Sequence, residues 1–193
     1  LNSRILALLV SSFLIFSSNA NAALINNNIQ YYEVEAEDLR GLRQQIQSKG
    51  PLVAGNRYPI HGEYHFKWKP KTREVNQQCQ ALAPELQLQA RLKMPRWISQ
   101  SQADFGSQQQ WLNFIGAAQQ YHQQISNIVE NNAQRFSDQA KSLNADNCEQ
   151  LAALIDAKGR AALASANQQV RNYQRKTQSG RSLGLSLSTL YNQ

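Results

Sequence analysis

Hydrophobic and polar positions along the chain change their period twice, and the changes mark out the elements. After a short polar lead-in, YYEVEA (residues 31–36) reads as a short strand. In the next segment Leu39, Leu42 and Ile46 recur at helical spacing and Gly50-Pro51 supplies a stop, which predicts a helix of about three turns. Tyr64, Phe66 and Trp68 then alternate with Glu63, His65, Lys67 and Lys69, the pattern of a half-buried strand closed by a Lys-Pro-Lys-Thr turn. Alternation returns at Leu82, Leu86, Leu88, Ala90, Leu92 and Met94, where Pro84 points to an edge strand or a bulge and Pro95-Arg96-Trp97 ends the run. A polar connection, ISQSQADFGSQQQ, follows.

Beyond that connection the period is helical. Trp111, Phe114, Ile115, Ala118, His122, Ile125, Val129, Ala133, Phe136 and Ala140 fall on one stripe, so a long helix runs to about Ser142. After LNADNC, with Asp146 or Asn147 as cap, a second long helix starts at Cys148. Its inner stripe is Leu151, Leu154, Ile155, Ala162, Leu163, Ala166, Val170 and Tyr173. Gly180 and Gly184 then begin an irregular tail. The order predicts an α+β domain: a small antiparallel sheet with a short helix, packed on a hairpin of two long helices.

The first residues change the picture. Arg4, an apolar run from Ile5 to Phe16 and the small-residue pattern Ala20-Asn21-Ala22 read as a secretory signal over residues 1–22, which leaves 23–193 as a single domain. The apolar run is too short to span a bilayer, so no transmembrane segment is expected after signal cleavage. The first residue is Leu, which points to an alternative start codon or a missing residue or two. A periplasmic or secreted location lets Cys79 and Cys148, the only cysteines, form one disulfide. The formal charge of +7 falls to +6 without Arg4. In the envelope the anions available are lipopolysaccharide, phospholipid head groups and cell-wall polymers. The basic cluster Arg171, Arg175, Lys176 and Arg181 reads as a solvated helix end, with attachment to such polymers as the functional alternative. Only Tyr173 could stack a base there, so no nucleic acid is expected as partner.

Candidate chemistry is sparse. His61 and His65 lie about 13 Å apart along an extended strand, too far to share one metal, and read as exposed polar positions. His122, on an inner helical stripe, reads as a hydrogen-bonded core residue. No Gly-x-Ser-x-Gly elbow is present. Glu33, Glu35, Glu37 and Asp38 read as charges at a helix N-terminus, and Glu130 is the only acid near His122 on its helix. These residues favour binding over catalysis.

Several stretches in order carry a resemblance: YYEV, EDLRGLRQQIQSKGP, GEYHFKWKP, a cysteine before a strand ending in LKMPRW, Trp111 opening the long helix, NCEQL, and YQRKTQSGRSLG. Together they resemble the family catalogued as domain of unknown function 922, described as secreted zinc-dependent proteases. The resemblance implies a His-Glu-x-x-His helix holding zinc, with the glutamate as general base and a third ligand in a terminal Tyr-Asp-x-x-Thr-x-His-Gly segment. In one register His122 stands at the first histidine, Gln123 at the glutamate and Ser126 at the second histidine. One residue earlier, Tyr121, His122 and Ile125 take those places. In the tail Tyr173, Thr177, Gly180 and Gly184 match, while Gln174 and Ser179 stand at the Asp and His. His122 is then the only surviving candidate ligand, and no cofactor is expected. The implied reading is a non-catalytic, zinc-peptidase-like protein that binds a peptide, a cell-wall fragment or an envelope protein in a groove by the long helix. Trp111, Tyr173 and Thr177 are its candidate groove residues. The alternative is an active zinc metallopeptidase with unorthodox ligands such as His122 and Glu130.

Overall fold

The computed structural model describes residues 24–190, with side chains from residue 28 onward. The signal read at residues 1–22 lies outside the described residues. Strand β1 (Leu24–Val34) leads into helix α1 (Leu39–Lys49), followed by the short strands β2 (Leu52–Val53) and β3 (Asn56–Arg57). Strands β4 (His61–Lys69), β5 (Thr72–Val75), β6 (Gln78–Ala81) and β7 (Glu85–Trp97) come next. Helix α2 (Phe105–Ala140), the two-residue strand β8 (Asn144–Ala145) and helix α3 (Cys148–Lys176) complete the order, before a tail of short helical turns. The α+β class and the packing on a hairpin of long helices are as the periodicity predicts.

The main sheet has the order β1-β7-β4, with β7 in the centre. Two expectations are corrected here. Strand β7 is neither an edge nor bulged at Pro84, because Pro84 lies just before the strand. The sheet is also mixed: β4 runs antiparallel to β7, but β1 runs parallel to it. Parallel pairing needs a crossover, which α1 and the elements after it supply. Pro95 is accommodated because β4 reaches only to Lys93, so a missing N–H beyond that point interrupts no β4–β7 ladder.

Other boundaries moved for identifiable reasons. The polar stretch from residue 24 is strand because β7 pairs with it along its whole length. Helix α2 starts at Phe105, six residues before Trp111, because the Asp104 carboxylate accepts from Ser107 N at 2.9 Å and caps it. Asn147, not Asp146, caps α3, accepting from Gln150 N. Leu154 is 46% exposed although Leu151 and Ile155 are fully buried, since it lies off the side of their stripe. Strands β5 and β6 form a hairpin turned by Asn76 and Gln77, both with positive φ, a two-residue turn that lacks the usual glycine.

Two core clusters result. One joins α1 (Leu39, Leu42, Ile46), Met94 and Trp97 of β7, and the first half of α2. The other joins Phe66, Leu86 and Leu88 to Phe136 and to Leu151 and Ile155 of α3. Tyr64 and Val170 pack against both. The helices run antiparallel, with Tyr121 stacked on Tyr173 near one end and Gln169 donating to Asn132 further along. Cys79 and Cys148 form a disulfide with Cα atoms 5.1 Å apart. It ties β6 to the first residue of α3.

Candidate functional site

A cavity of about 780 Å³ opens where the two core clusters meet, bounded by β4, α2, α3 and the tail. Its aliphatic floor comes from Ile125 and Val129 of α2 and from Leu163, Ala166 and Val170 of α3. Tyr58, Tyr64 and Tyr121 contribute aromatic wall, and Asn167, Gln174, Gln178, Ser179 and Arg181 contribute polar groups. The period of 3.6 brings residues 121, 122, 125 and 129 to one side of α2. Strand alternation likewise turns Tyr64 toward the helix.

His122 is held at this wall by Tyr64, whose hydroxyl lies 2.8 Å from Nδ1 and 3.2 Å from the His122 carbonyl oxygen. With the ring proton on Nδ1 the imidazole donates to the phenol oxygen while the phenol donates to the carbonyl, and in the other tautomer the single phenol proton is shared between the two acceptors. Gly62 allows the close approach: a Cβ there would come 2.7 Å from Nδ1. Burial, and then the charge of His61, lower the His122 pKa to about 4, so the ring is neutral at neutral pH. Burial, and then Tyr121, push the Tyr64 phenol well above its ordinary range. Tyr121 is also raised by burial, against a hydrogen bond with Gln174.

The tail reaches the cavity through a left-handed turn. Gln178 (φ 51), Ser179 (φ 58) and Gly180 (φ 90) are consecutive, and two of them are not glycine. A hydrogen-bond network holds this conformation. Ser179 N donates to Gln174 O, Gly180 N to Thr177 O, and Ser182 N to Thr177 O. The Thr177 hydroxyl donates to Tyr173 O at 2.8 Å. At Gly180 glycine is needed twice over, because a Cβ would also come 2.8 Å from the Leu185 side chain.

The residues singled out from the sequence separate cleanly. Tyr121, His122, Ile125 and Ser179 all line the cavity. Gln123 does not; it is exposed and donates to Asn127 at 2.9 Å. Ser126 donates to Glu130 at 2.7 Å, and both face a separate small recess shared with His65 and Gln89. Glu130 is therefore not brought together with His122 at the cavity. The groove candidates Trp111, Tyr173 and Thr177 are not lining residues. Trp111 is core, edge-on to Trp97, while Tyr173 backs Tyr121 and Thr177 braces the turn. His61, read as an exposed position, is a lining residue instead. The carboxylate of Glu63 lies 3.6 Å from His61 and 3.8 Å from His65.

The metal that the sequence resemblance implies does not fit this donor set. The implied ligand positions hold Tyr121, His122 with Nδ1 engaged, Ile125 and Ser179, and His61 adds only a second imidazole to the lining, whereas a catalytic zinc takes three protein ligands. Among the described residues no three His, Cys, Asp or Glu side chains are placed to hold a metal ion. Tyr58 and Gln178 were not legible as site residues from sequence, and Arg181 only as one of the basic cluster around Tyr173. Only the inward phase of Tyr64 signalled that it would meet α2.

The family described as a bacterial protein of unknown function (DUF922) matches residues 29–180. The chain belongs to that family. The match covers the main sheet from Ile29 onward, both long helices and the tail as far as Gly180, so most of the cavity lies inside the DUF922 region, with Arg181, Leu185, Ser186 and Leu187 beyond it. No curated protein matches the chain. No solved structure matches it either.

Proposed function

We propose that this DUF922 protein is an exported, non-catalytic binding protein of a zinc-peptidase-like family, and that its cavity holds a peptide or cell-wall fragment or docks an envelope protein. The observation that carries this reading is the gathering of Tyr121, His122, Ile125 and Ser179 around one cavity. Those are the positions of the earlier of the two registers, so the later one, through Gln123 and Ser126, is set aside. A phenol, an imidazole and an isoleucine stand where a His-Glu-x-x-His helix would hold metal and base. His122 at the second position is an imidazole with Nδ1 engaged by Tyr64, and among the described residues no three-ligand set stands beside it to hold a zinc-bound water. The cavity volume falls within the range of small-ligand sites. Export is supported by the disulfide, which persists in oxidising compartments. No helix among the described residues is long and apolar enough to cross a membrane.

Metal analysis of the purified, dialysed protein, run beside a peptidase assay, tests the reading. Substoichiometric zinc and no hydrolysis are expected. Stoichiometric zinc together with hydrolysis that stops on chelation would establish the metallopeptidase instead.

A further inference from the structure

We infer that the cavity takes a ligand with a carboxylate at the end of an apolar body, and that the carboxylate sits on Arg181. This rests on the reading of the cavity as a binding site, and adds the chemistry of what it binds.

Charge is the first observation. Among the described residues, the lining contains no Asp or Glu, yet it contains a guanidinium that is always protonated. Arg181 makes no salt bridge there. Its Nε donates to Gln178 O at 3.3 Å, which fixes the head and leaves the two terminal amino groups for a planar, two-oxygen acceptor. Its charged neighbours at the end of α3, Arg175 and Lys176, have the same sign. A cationic ligand would therefore meet repulsion and no counter-charge.

Backbone accounting is the second. The last carbonyls of α3 accept from the tail: Tyr173 O from Thr177 N, Gln174 O from Ser179 N, and Arg175 O from Gln178 N. The amide groups of Gly180, Arg181 and Ser182 are engaged within the turn as well. The turn thus offers an anion no free N–H pocket, and recognition falls to side chains, with Arg181 the only full charge. The left-handed conformation at Gln178 and Ser179, unusual for such residues, is what carries the chain back over the cavity and sets Ser179 and Arg181 on its rim.

Apolar lining is the third. Ile125, Val129, Leu163 and Val170 form an aliphatic bed beside that charge, so the ligand is an amphiphile rather than a small inorganic anion. Two sources share this chemistry: a fatty acid, and a peptide ending in an apolar residue with a free carboxyl.

Four probes separate the possibilities: decanoic acid against decanamide, and N-acetyl-Ala-Leu-Phe with a free carboxyl against its C-terminal amide. Binding is measured by calorimetry to the unmodified protein, Arg181→Gln and Asn167→Trp. Both substitutions fall at exposed positions, so the fold is retained, and a thermal melt checks it. One acid is expected to bind about tenfold or more tightly than its amide, the size of a charge-assisted hydrogen bond. Arg181→Gln should erase that advantage while leaving the amide's affinity unchanged, and Asn167→Trp should abolish both by filling the mouth of the cavity. The acid that shows the advantage identifies the source. Acids and amides that bind equally, but are lost in Asn167→Trp, overturn the carboxylate assignment and leave the cavity reading standing. Absence of binding by all four probes, or binding indifferent to Asn167→Trp, overturns both.

Discussion

The Tyr64 hydroxyl lies 2.8 Å from His122 Nδ1, joining the edge strand β4 to the middle of the longest helix at the point where the two core clusters meet. Tyr64→Phe keeps the ring and deletes the hydroxyl that meets the buried His122 Nδ1, so it should destabilise the protein by about 1–3 kcal/mol. Urea midpoints of the two proteins, with unchanged m-values, measure this. A change below about 0.3 kcal/mol would mean that water replaces the hydroxyl without cost.

His122 makes stability depend on pH in a defined window. Its pKa is lowered to about 4 in the folded protein, from 6.5 for an unperturbed group, so between these values the unfolded chain binds the proton and the folded chain does not. The contribution is complete above pH 6.5 and is lost as the pH falls toward 4. From pH 7 to pH 5 the loss attributable to His122 is about 2 kcal/mol. His122→Gln should flatten that part of the stability profile. An identical slope in both proteins would assign the acid sensitivity to other groups.

Gly159 and Gly116 form a matched pair on the two long helices. A Cβ at Gly159 would come 2.2 Å from Cε2 of Trp68, whose Nε1 is anchored on Asp156 at 2.9 Å, whereas a Cβ at Gly116 meets nothing within 4 Å. Gly159→Ala should cost about 1–3 kcal/mol by overpacking. Gly116→Ala should stabilise by about 0.5–1 kcal/mol through helix propensity. Thermal melts of both variants give the two signs.

The disulfide closes a loop of 69 residues. Replacing both Cys79 and Cys148 with alanine should lower stability by as much as about 4 kcal/mol on the chain-entropy account. Alkylation without reductant should label no thiol in the oxidised protein. Two labelled thiols in protein from an oxidising compartment would remove the bridge and its share of the stability.

The two registers of the helix make opposite predictions when ligands are introduced. Tyr121→His, His122→Glu, Ile125→His and Ser179→His together place their new side chains at one cavity and should create measurable zinc affinity. Histidine is among the residues that tolerate positive φ, which favours the change at Ser179 (φ 58). The set Gln123→Glu, Ser126→His and Ser179→His splits its groups between solvent, a separate recess and the cavity, and should not bind zinc. Equilibrium dialysis with metal analysis decides between them.

Periodicity revealed the elements whose faces are sharply two-sided. Leu39, Leu42 and Ile46 are all fully buried, as their spacing demands, and the stripe from Trp111 to Ala140 packs as read. It failed where burial did not depend on the local pattern. The polar lead-in is strand only because β7 lies beside it, a distant partner that no local period reports. The β5–β6 hairpin is four residues a side, only half-exposed, and turned without glycine. The site was legible in part: helical spacing brought residues 121, 122 and 125 together, and the tail resemblance brought Ser179. That Arg181 and Tyr58 share the same cavity depends on a left-handed turn and on a short loop before β4, neither of which leaves a periodic trace.

The parallel pairing of β1 with β7 has a kinetic consequence. Helix α1 and five strands separate the two partners in the chain, so the longest ladder among the described residues joins strands far apart in sequence. Contacts of such high sequence separation require the loop-closure entropy to be met before any ladder energy is returned, and they form slowly. The β4–β7 pair is antiparallel and closer in sequence, and should assemble first. Until β1 docks, one edge of β7 stays open to strands of other chains. The protein is then most prone to aggregate in the interval between the closing of its first sheet edge and its second.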